Sequence, residues 1–317
     1  MVSSYVKQWM LGAASAAILM VSAFAAHAGD TQSPPDETTN INLAVASNFY
    51  GVPPSNSAIT DLINAFESAN PTYTVTVVDN GATATLASHI INGNERGVDL
   101  FLAADTATPL DLLINHFDLV APYNSSLTPA LYTFNYATGI LALLSNTPGV
   151  DLSCETGTCG YDPNVYSIVG IANPDLAPYG VAAQTVLTGR YGLESPLSSN
   201  PLVHEYDNIT LTFQAVIDKK DPVGFVAMSA ICVDGKFPTS GTSALAYFST
   251  DSTPNAGVLT YNYNPLTQAG IAIRNDRTPA QDTELEAFVK FMTDFTTAPE
   301  RDSAMMETLK RFCYNAP

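Results

Sequence analysis

Ser167-Ile-Val-Gly-Ile-Ala-Asn-Pro-Asp-Leu-Ala-Pro-Tyr-Gly180, running on into Val181-Ala-Ala-Gln-Thr-Val-Leu187, is the stretch on which the fold turns. A β-branched run comes first, then a loop of small residues around Pro178-Tyr179-Gly180, then a helix-like run. That order predicts a strand, a tight turn and a helix N-terminus. The free N–H groups and the dipole of such a terminus suit an anion. Two similar openings occur, near Ser47 and near Asn80-Gly-Ala-Thr83.

The flanking sequence repeats this unit. Ile41-Asn-Leu-Ala-Val-Ala-Ser47 reads as a buried strand ending in a hydroxyl. Ala58 to Ala69 carries Ile59, Leu62, Ile63 and Phe66 at helical spacing. Thr72 to Val78 reads as a strand, Thr85 to Asn92 as a helix, and Val98 to Ala103 as another strand. Asp105 is placed to cap a helix around Pro109 to Asn115. This βαβαβα order implies an α/β fold, a parallel sheet with helices on both faces and its ligand at the C-terminal strand ends. Ser47, Thr83 and Asp105 fall at or near those ends. Leu131 to Ser145 is extended and leads into a second lobe. That lobe is expected to hold Ser167–Ile171, a turn at Tyr206-Asp-Asn208, a helix from Ile209 to Asp218 and a strand from Val223. Residues 234–254 are rich in Gly, Ser and Thr and read as a surface loop returning to the first lobe. Helices are expected over 282–295 and 299–311.

Lys7 precedes an apolar run from Met10 to Ala26 that ends Ala26-His27-Ala28. This is a signal peptide pattern with cleavage after Ala28, and it predicts export to the periplasm without stable membrane insertion. Residues 29–40 are polar and read as a flexible leader. The expected organisation is then 41–133 with 247–317 in lobe 1, and 134–246 in lobe 2.

The formal net charge is −18. Such a surface argues against a nucleic-acid partner. Between Ala28 and Arg190 there is one basic residue, Arg96. An anion held by the loops at Ser47, Thr83 and Tyr179 must therefore rest mainly on neutral dipoles, unless a distant basic residue folds inward. The chain has four cysteines, which allow three pairings. Cys154 and Cys159 flank the turn-prone Glu-Thr-Gly-Thr, so a local bridge is expected, and Cys232–Cys313 follows by elimination. A metal site would compete, but no Cys-x-x-Cys pair or His cluster supports one.

Seven segments, in order, resemble the periplasmic molybdate-binding proteins of ABC importers. They are Leu43-Ala-Val-Ala-Ser-Asn-Phe49, Gly81-Ala-Thr-Ala-Thr-Leu86, Val98-Asp-Leu-Phe-Leu-Ala-Ala-Asp105, Tyr136-Ala-Thr-Gly139, Ala172-Asn-Pro-Asp-Leu-Ala-Pro-Tyr-Gly180, Asp207-Asn-Ile209 and Gly224-Phe-Val-Ala-Met-Ser229. The similarity spans about residues 41 to 311. It implies a two-lobe, periplasmic-binding-protein-like fold, each lobe a mostly parallel sheet flanked by helices, with a cleft between lobes that closes on a tetrahedral oxyanion. It further implies molybdate or tungstate as the transported ligand, a membrane permease as partner, no cofactor and a monomer. Carried over by position, the ligand-binding residues are Ser47 and Asn48, Thr83 and Ala84, Tyr179 through its backbone N–H, and Ile209. Three departures stand out. Ala227 occupies a position where some members have a Tyr on the anion. Gly81-Ala-Thr-Ala84 replaces a Gly-Ser-Ser-Gly loop. The loops Tyr50–Ser57, Leu152–Val165 and Asp234–Tyr261 are longer than usual.

The alternative is an exported protein on the same scaffold that binds another small anion or organic acid as sensor or scavenger, or acts as a hydrolase. The hydrolase needs a base, and the mature histidines His89, His116 and His204 lie in no Gly-x-Ser-x-Gly or His-Glu-x-x-His context.

Overall fold

The computed structural model describes residues 38–51, 57–152, 160–232, 234–236, 243–248, 259–260, 263–299 and 301–317. The expected signal peptide, most of the leader, the Cys154–Cys159 pair and parts of the three long loops lie outside the described residues.

β1 (Thr39–Ala46) runs straight into a single-turn helix, α1 (Ser47–Tyr50). It begins inside the expected leader because the Thr39 N–H already bonds the Thr72 carbonyl at 3.0 Å. α2 (Ala58–Ala69) opens on Ser57, whose hydroxyl accepts the Thr60 N–H, and it buries Ile59, Leu62 and Phe66. Next come β2 (Tyr73–Gly81), α3 (Thr83–Ile91), β3 (Leu100–Ala103) and α4 (Ala107–Asn115). β4 (Thr133–Gly139) and β5 (Leu141–Ser145) follow, then β6 (Val169–Ala172), α5 (Pro178–Tyr191), β7 (Val203–Tyr206), α6 (Ile209–Ile217) and β8 (Val223–Ala227). The chain ends with β9 (Ser243–Phe248), β10 (Leu259–Thr260), β11 (Leu266–Ala272), α7 (Pro279–Met292) and α8 (Ala304–Arg311). α7 starts with a capping box between Thr278 and Gln281 and has Pro279 in its first turn.

These strands make two sheets, ordered β2-β1-β3-β11-β4 and β10-β9-β5-β8-β6-β7. β1 is parallel to β2 and β3, and β6 is parallel to β7 and β8. The strand by which the chain enters each sheet after a crossing runs the other way. β11 is antiparallel to β3 and β4, and β5 is antiparallel to β8 and β9.

Residues 234–254 do not all return as surface loop. Residues 243–247 pair with the whole of β5 and extend the second sheet. The return crossing therefore comes after Thr260 rather than at 247, and β4 lies in the first sheet. β11, in the interior of the first sheet, carries no clear strand pattern because Thr267, Gln268 and Gly270 interrupt it.

Alternation along the strands divides the core between faces. Leu43 and Val45 pack with Phe66, Phe288 and Leu309 on one face of the first sheet, whereas Ala44 faces Leu86, Ile90 and Leu112 on the other. In the second sheet Leu141 and Leu143 meet Val186 and Leu187 of α5, and Ala142 and Leu144 meet Val216 of α6. Both sheets are thus covered by helices on two faces. The C-terminal ends of their parallel strands look toward each other.

Candidate functional site

Four helices begin where those strand ends meet. Ser47 opens α1, Thr83 opens α3, Pro178 and Tyr179 open α5, and Ile209 opens α6. All of these residues, with Asn48, line one small cavity of about 10 Å³ together with Ala46, Gly81, Ala82, Ala104 and Ala177. A space of that order is about the size of one water molecule.

The residues just before these helices are the telling feature. The N-cap positions of α1, α3 and α5 are Ala46, Ala82 and Ala177, and none offers a side-chain acceptor. All three are buried. Alanine at an N-cap costs about 1 kcal/mol against Ser, Thr, Asn or Asp. At these buried termini the N–H groups of Ser47, Thr83 and Tyr179 belong to cavity-lining residues and meet no capping side chain, while those of Ala84 and Gly180 are bonded to the Leu176 and Ala177 carbonyls. Only α6 has a conventional cap, Asn208, whose amide oxygen accepts the Leu211 N–H at 3.0 Å. The signal for the site was therefore present in the sequence, as alanines where capping residues belong.

Side chains complete the donor set. The Thr83 hydroxyl accepts the Ala104 N–H at 3.0 Å, which leaves its own proton free to point into the cavity. Asn48 is buried, with its side-chain amide donating to the Tyr314 hydroxyl at 3.1 Å. Ser47 is buried as well. No Lys, Arg, His, Asp or Glu lines this cavity among the described residues. Arg96 pairs with Asp79 at 3.3 Å and is half exposed. Its charge is not available to the site.

Of the expected site residues, Ser47, Asn48, Thr83, Tyr179 and Ile209 come together here. Ala84 lies one residue further along α3 and lines a larger neighbouring cavity of about 390 Å³. Its N–H bonds the Leu176 carbonyl at 3.1 Å. That bond joins the lobes, as does the one from the Thr210 hydroxyl to the Ser47 carbonyl at 3.1 Å. The lobes are therefore in contact around the cavity.

Two residues have roles that their sequence positions did not reveal. The Tyr179 side chain turns away from the cavity and is buried at the crossover between sheets. A β-carbon at Gly139 would lie 2.9 Å from Tyr179 Cζ and from Gln268 Nε2, so only glycine fits beneath that ring. Burial raises the Tyr179 phenol well above its usual pKa. Tyr314, from the far C-terminus, donates to the Asn48 carbonyl at 2.9 Å. Ala227 is buried at the end of β8, paired with Leu141, and does not line the cavity.

The polar clusters elsewhere are structural. Asp105 accepts the Thr108 N–H at 2.7 Å and caps the first turn of α4, while burial raises its pKa. His89 bonds Asp79 at 2.8 Å and His204 bonds the fully buried Asp221 at 2.7 Å. Neither pair has a serine, threonine or cysteine bonded to the imidazole among the described residues.

Over residues 41–297 the chain matches the bacterial extracellular solute-binding protein family. It belongs to that family. A curated relative of this solute-binding protein, the molybdate-binding protein ModA of Azotobacter vinelandii, is 32% identical over 201 residues, 63% of this chain and 69% of its own length. The solved Azotobacter vinelandii periplasmic molybdate-binding protein superposes with a TM-score of 0.62 at 22% identity, covering 87% of this chain and 99% of that one. The sulfate-binding protein SubI of Mycobacterium tuberculosis shares the fold at a TM-score of 0.51 and 11% identity, with 85% of each chain covered. The architecture is thus common to binders of different anions, and the site has to supply the choice. The homologues are binding proteins rather than enzymes, and this chain is a solute-binding protein, not an enzyme. No described helix is long and apolar enough to cross a membrane.

Proposed function

We propose that this solute-binding protein captures molybdate or tungstate in the periplasm and delivers it, as a monomer, to the membrane permease of an ABC importer. The signal-peptide pattern ending at Ala28 supports export. The observation that carries the ligand assignment is the convergence of the α1, α3 and α5 N-termini, each lacking a side-chain cap, on one small cavity without a charged side chain.

A dianion without a counter-ion loses much solvation. Each helix N-terminus offsets this with roughly half a positive charge, and charge-assisted hydrogen bonds from Ser47, Asn48, Thr83, Tyr179 and Ile209 add to it. A cavity of donors alone suits an ion that brings acceptors alone. A monoprotonated phosphate also brings a donor, and no carboxylate lines the cavity to receive it. Sulfate is fully deprotonated but smaller, and it engages the same donors less completely.

Thermal melting of the chain from Gly29 onward tests this. A ligand present at about a thousand times its Kd stabilises by about 4 kcal/mol. One millimolar molybdate or tungstate is expected to raise the melting temperature by about 10 °C, and sulfate or phosphate by less than about 2 °C. An equal rise with sulfate overturns the size argument.

A further inference from the structure

The C-terminal tail reaches the site by an unusual route. α8 ends in a Schellman turn, with the Cys313 N–H on the Lys310 carbonyl at 3.3 Å and the Tyr314 N–H on the Leu309 carbonyl at 2.8 Å. Cys313 takes the left-handed position, φ 56°, that glycine usually fills. The disulfide Cys232–Cys313 ties this turn to the segment that follows β8 in the second lobe. One residue on, Asn315 pairs with Thr138 of the crossover strand β4, through bonds of 2.8 and 2.9 Å. Arg311 contacts Asp61 beside the first sheet and Asp234 beyond β8. The tail is therefore a strap fastened to both lobes and to the crossover between them.

Tyr314 sits at the middle of this strap and is buried. Its ring packs against Phe49 with centroids 5.4 Å apart. Its hydroxyl is 2.9 Å from the Asn48 carbonyl, 3.1 Å from Asn48 Nδ2 and 3.0 Å from Ser229 Oγ. Ser229 also donates to the Asn48 carbonyl at 3.2 Å. The Asn48 backbone carbonyl and side-chain amide are thus both held by Tyr314, and Asn48 itself lines the cavity. The phenol does not itself line that cavity.

From this geometry we infer that Tyr314 is a positioning residue for the anion site: it sets the Asn48 amide and backbone in the pose that meets the ligand, and the disulfide strap holds Tyr314 in place to do so. The inference rests on the oxyanion reading of the cavity. Burial pushes the Tyr314 phenol up to about 12, so it keeps its proton throughout the neutral range. Without the hydroxyl, Asn48 Nδ2 loses its acceptor and the side chain must be ordered when the ligand binds.

Calorimetry with sodium molybdate on the wild type, Tyr314→Phe, Asn48→Ala and the double variant tests it. Tyr314→Phe is expected to weaken binding about tenfold while leaving the ring packing in place. In the Asn48→Ala background the same substitution is expected to cost clearly less than in the wild type, because the side-chain half of its route to the ligand is gone and only the contact to the residue-48 carbonyl remains. A merely structural Tyr314 gives losses that add in the double variant, and that result overturns the inference. So does wild-type affinity in Tyr314→Phe. A wild type that binds no molybdate is a different failure, that of the oxyanion reading, and it takes this inference with it.

Discussion

Gly180→Ala is expected to weaken molybdate binding by at least about tenfold and to lower the ligand-free melting temperature by several degrees. Gly180 is the third residue of α5, directly behind the Tyr179 N–H. There the helix packs onto the end of β6 with no gap. A methyl group at 180 would collide with the Ala172 carbonyl oxygen and lie 2.8 Å from the Asn173 carbonyl carbon. Both are backbone atoms and cannot swing aside. Relief requires α5 to lift away from the sheet. Overpacking of this kind costs about 1–3 kcal/mol. The same lift carries the Tyr179 N–H out of line with Ser47 and Thr83, so affinity falls as well as stability. Melting curves and calorimetry on one preparation measure both. A variant that melts lower but binds as the wild type would separate the helix start from the site and contradict the assignment of Tyr179.

Ser47→Asp is expected to abolish molybdate binding, a loss of more than about a thousandfold, without lowering the ligand-free melting temperature. At an effective dielectric of 20, two unit charges 4 Å apart repel by about 4 kcal/mol, and a dianion roughly doubles that. A buried carboxylate ordinarily destabilises a fold. Here it would enter a ring of donors left uncapped at Ala46, Ala82 and Ala177, and it would take up hydrogen bonds otherwise available to the ligand. Loss of binding together with a held or raised melting temperature therefore reports the character of the cavity. A strongly lowered melting temperature would mean that the cavity does not stabilise negative charge.

Much of this was legible in the sequence, for identifiable reasons. β1, α2, α5 and α6 each carry an unbroken pattern: a β-branched run, an apolar spacing of three and four, or a turn of small residues before a helix. Ser47, Thr83, Tyr179 and Ile209 stand at such junctions, but it was the resemblance, position by position, that carried them to one site. β9 was not legible, because residues 234–254 have the composition of a loop and only pairing with β5 makes 243–248 a strand. β11 was hidden by Gln268 and Gly270, which suit a crowded crossover rather than an alternating strand. Tyr314 could not be found from local pattern at all. It lies 266 positions from Asn48, and only the Schellman turn and the disulfide bring it there. The Tyr179 side chain was invisible for a related reason, since Gly139, 40 positions earlier, supplies the space it fills.

The central claim is that neutral donors at converging helix N-termini hold a tetrahedral oxyanion between the lobes. Isothermal calorimetry of the chain from Gly29 onward, titrated in turn with molybdate, tungstate, sulfate and phosphate, tests it most directly. The account predicts tight one-to-one binding of molybdate and tungstate, with sulfate and phosphate weaker by at least about a hundredfold, the discrimination expected of roughly 3 kcal/mol in hydrogen bonds to a charged ligand. No heat with any of the four would contradict it.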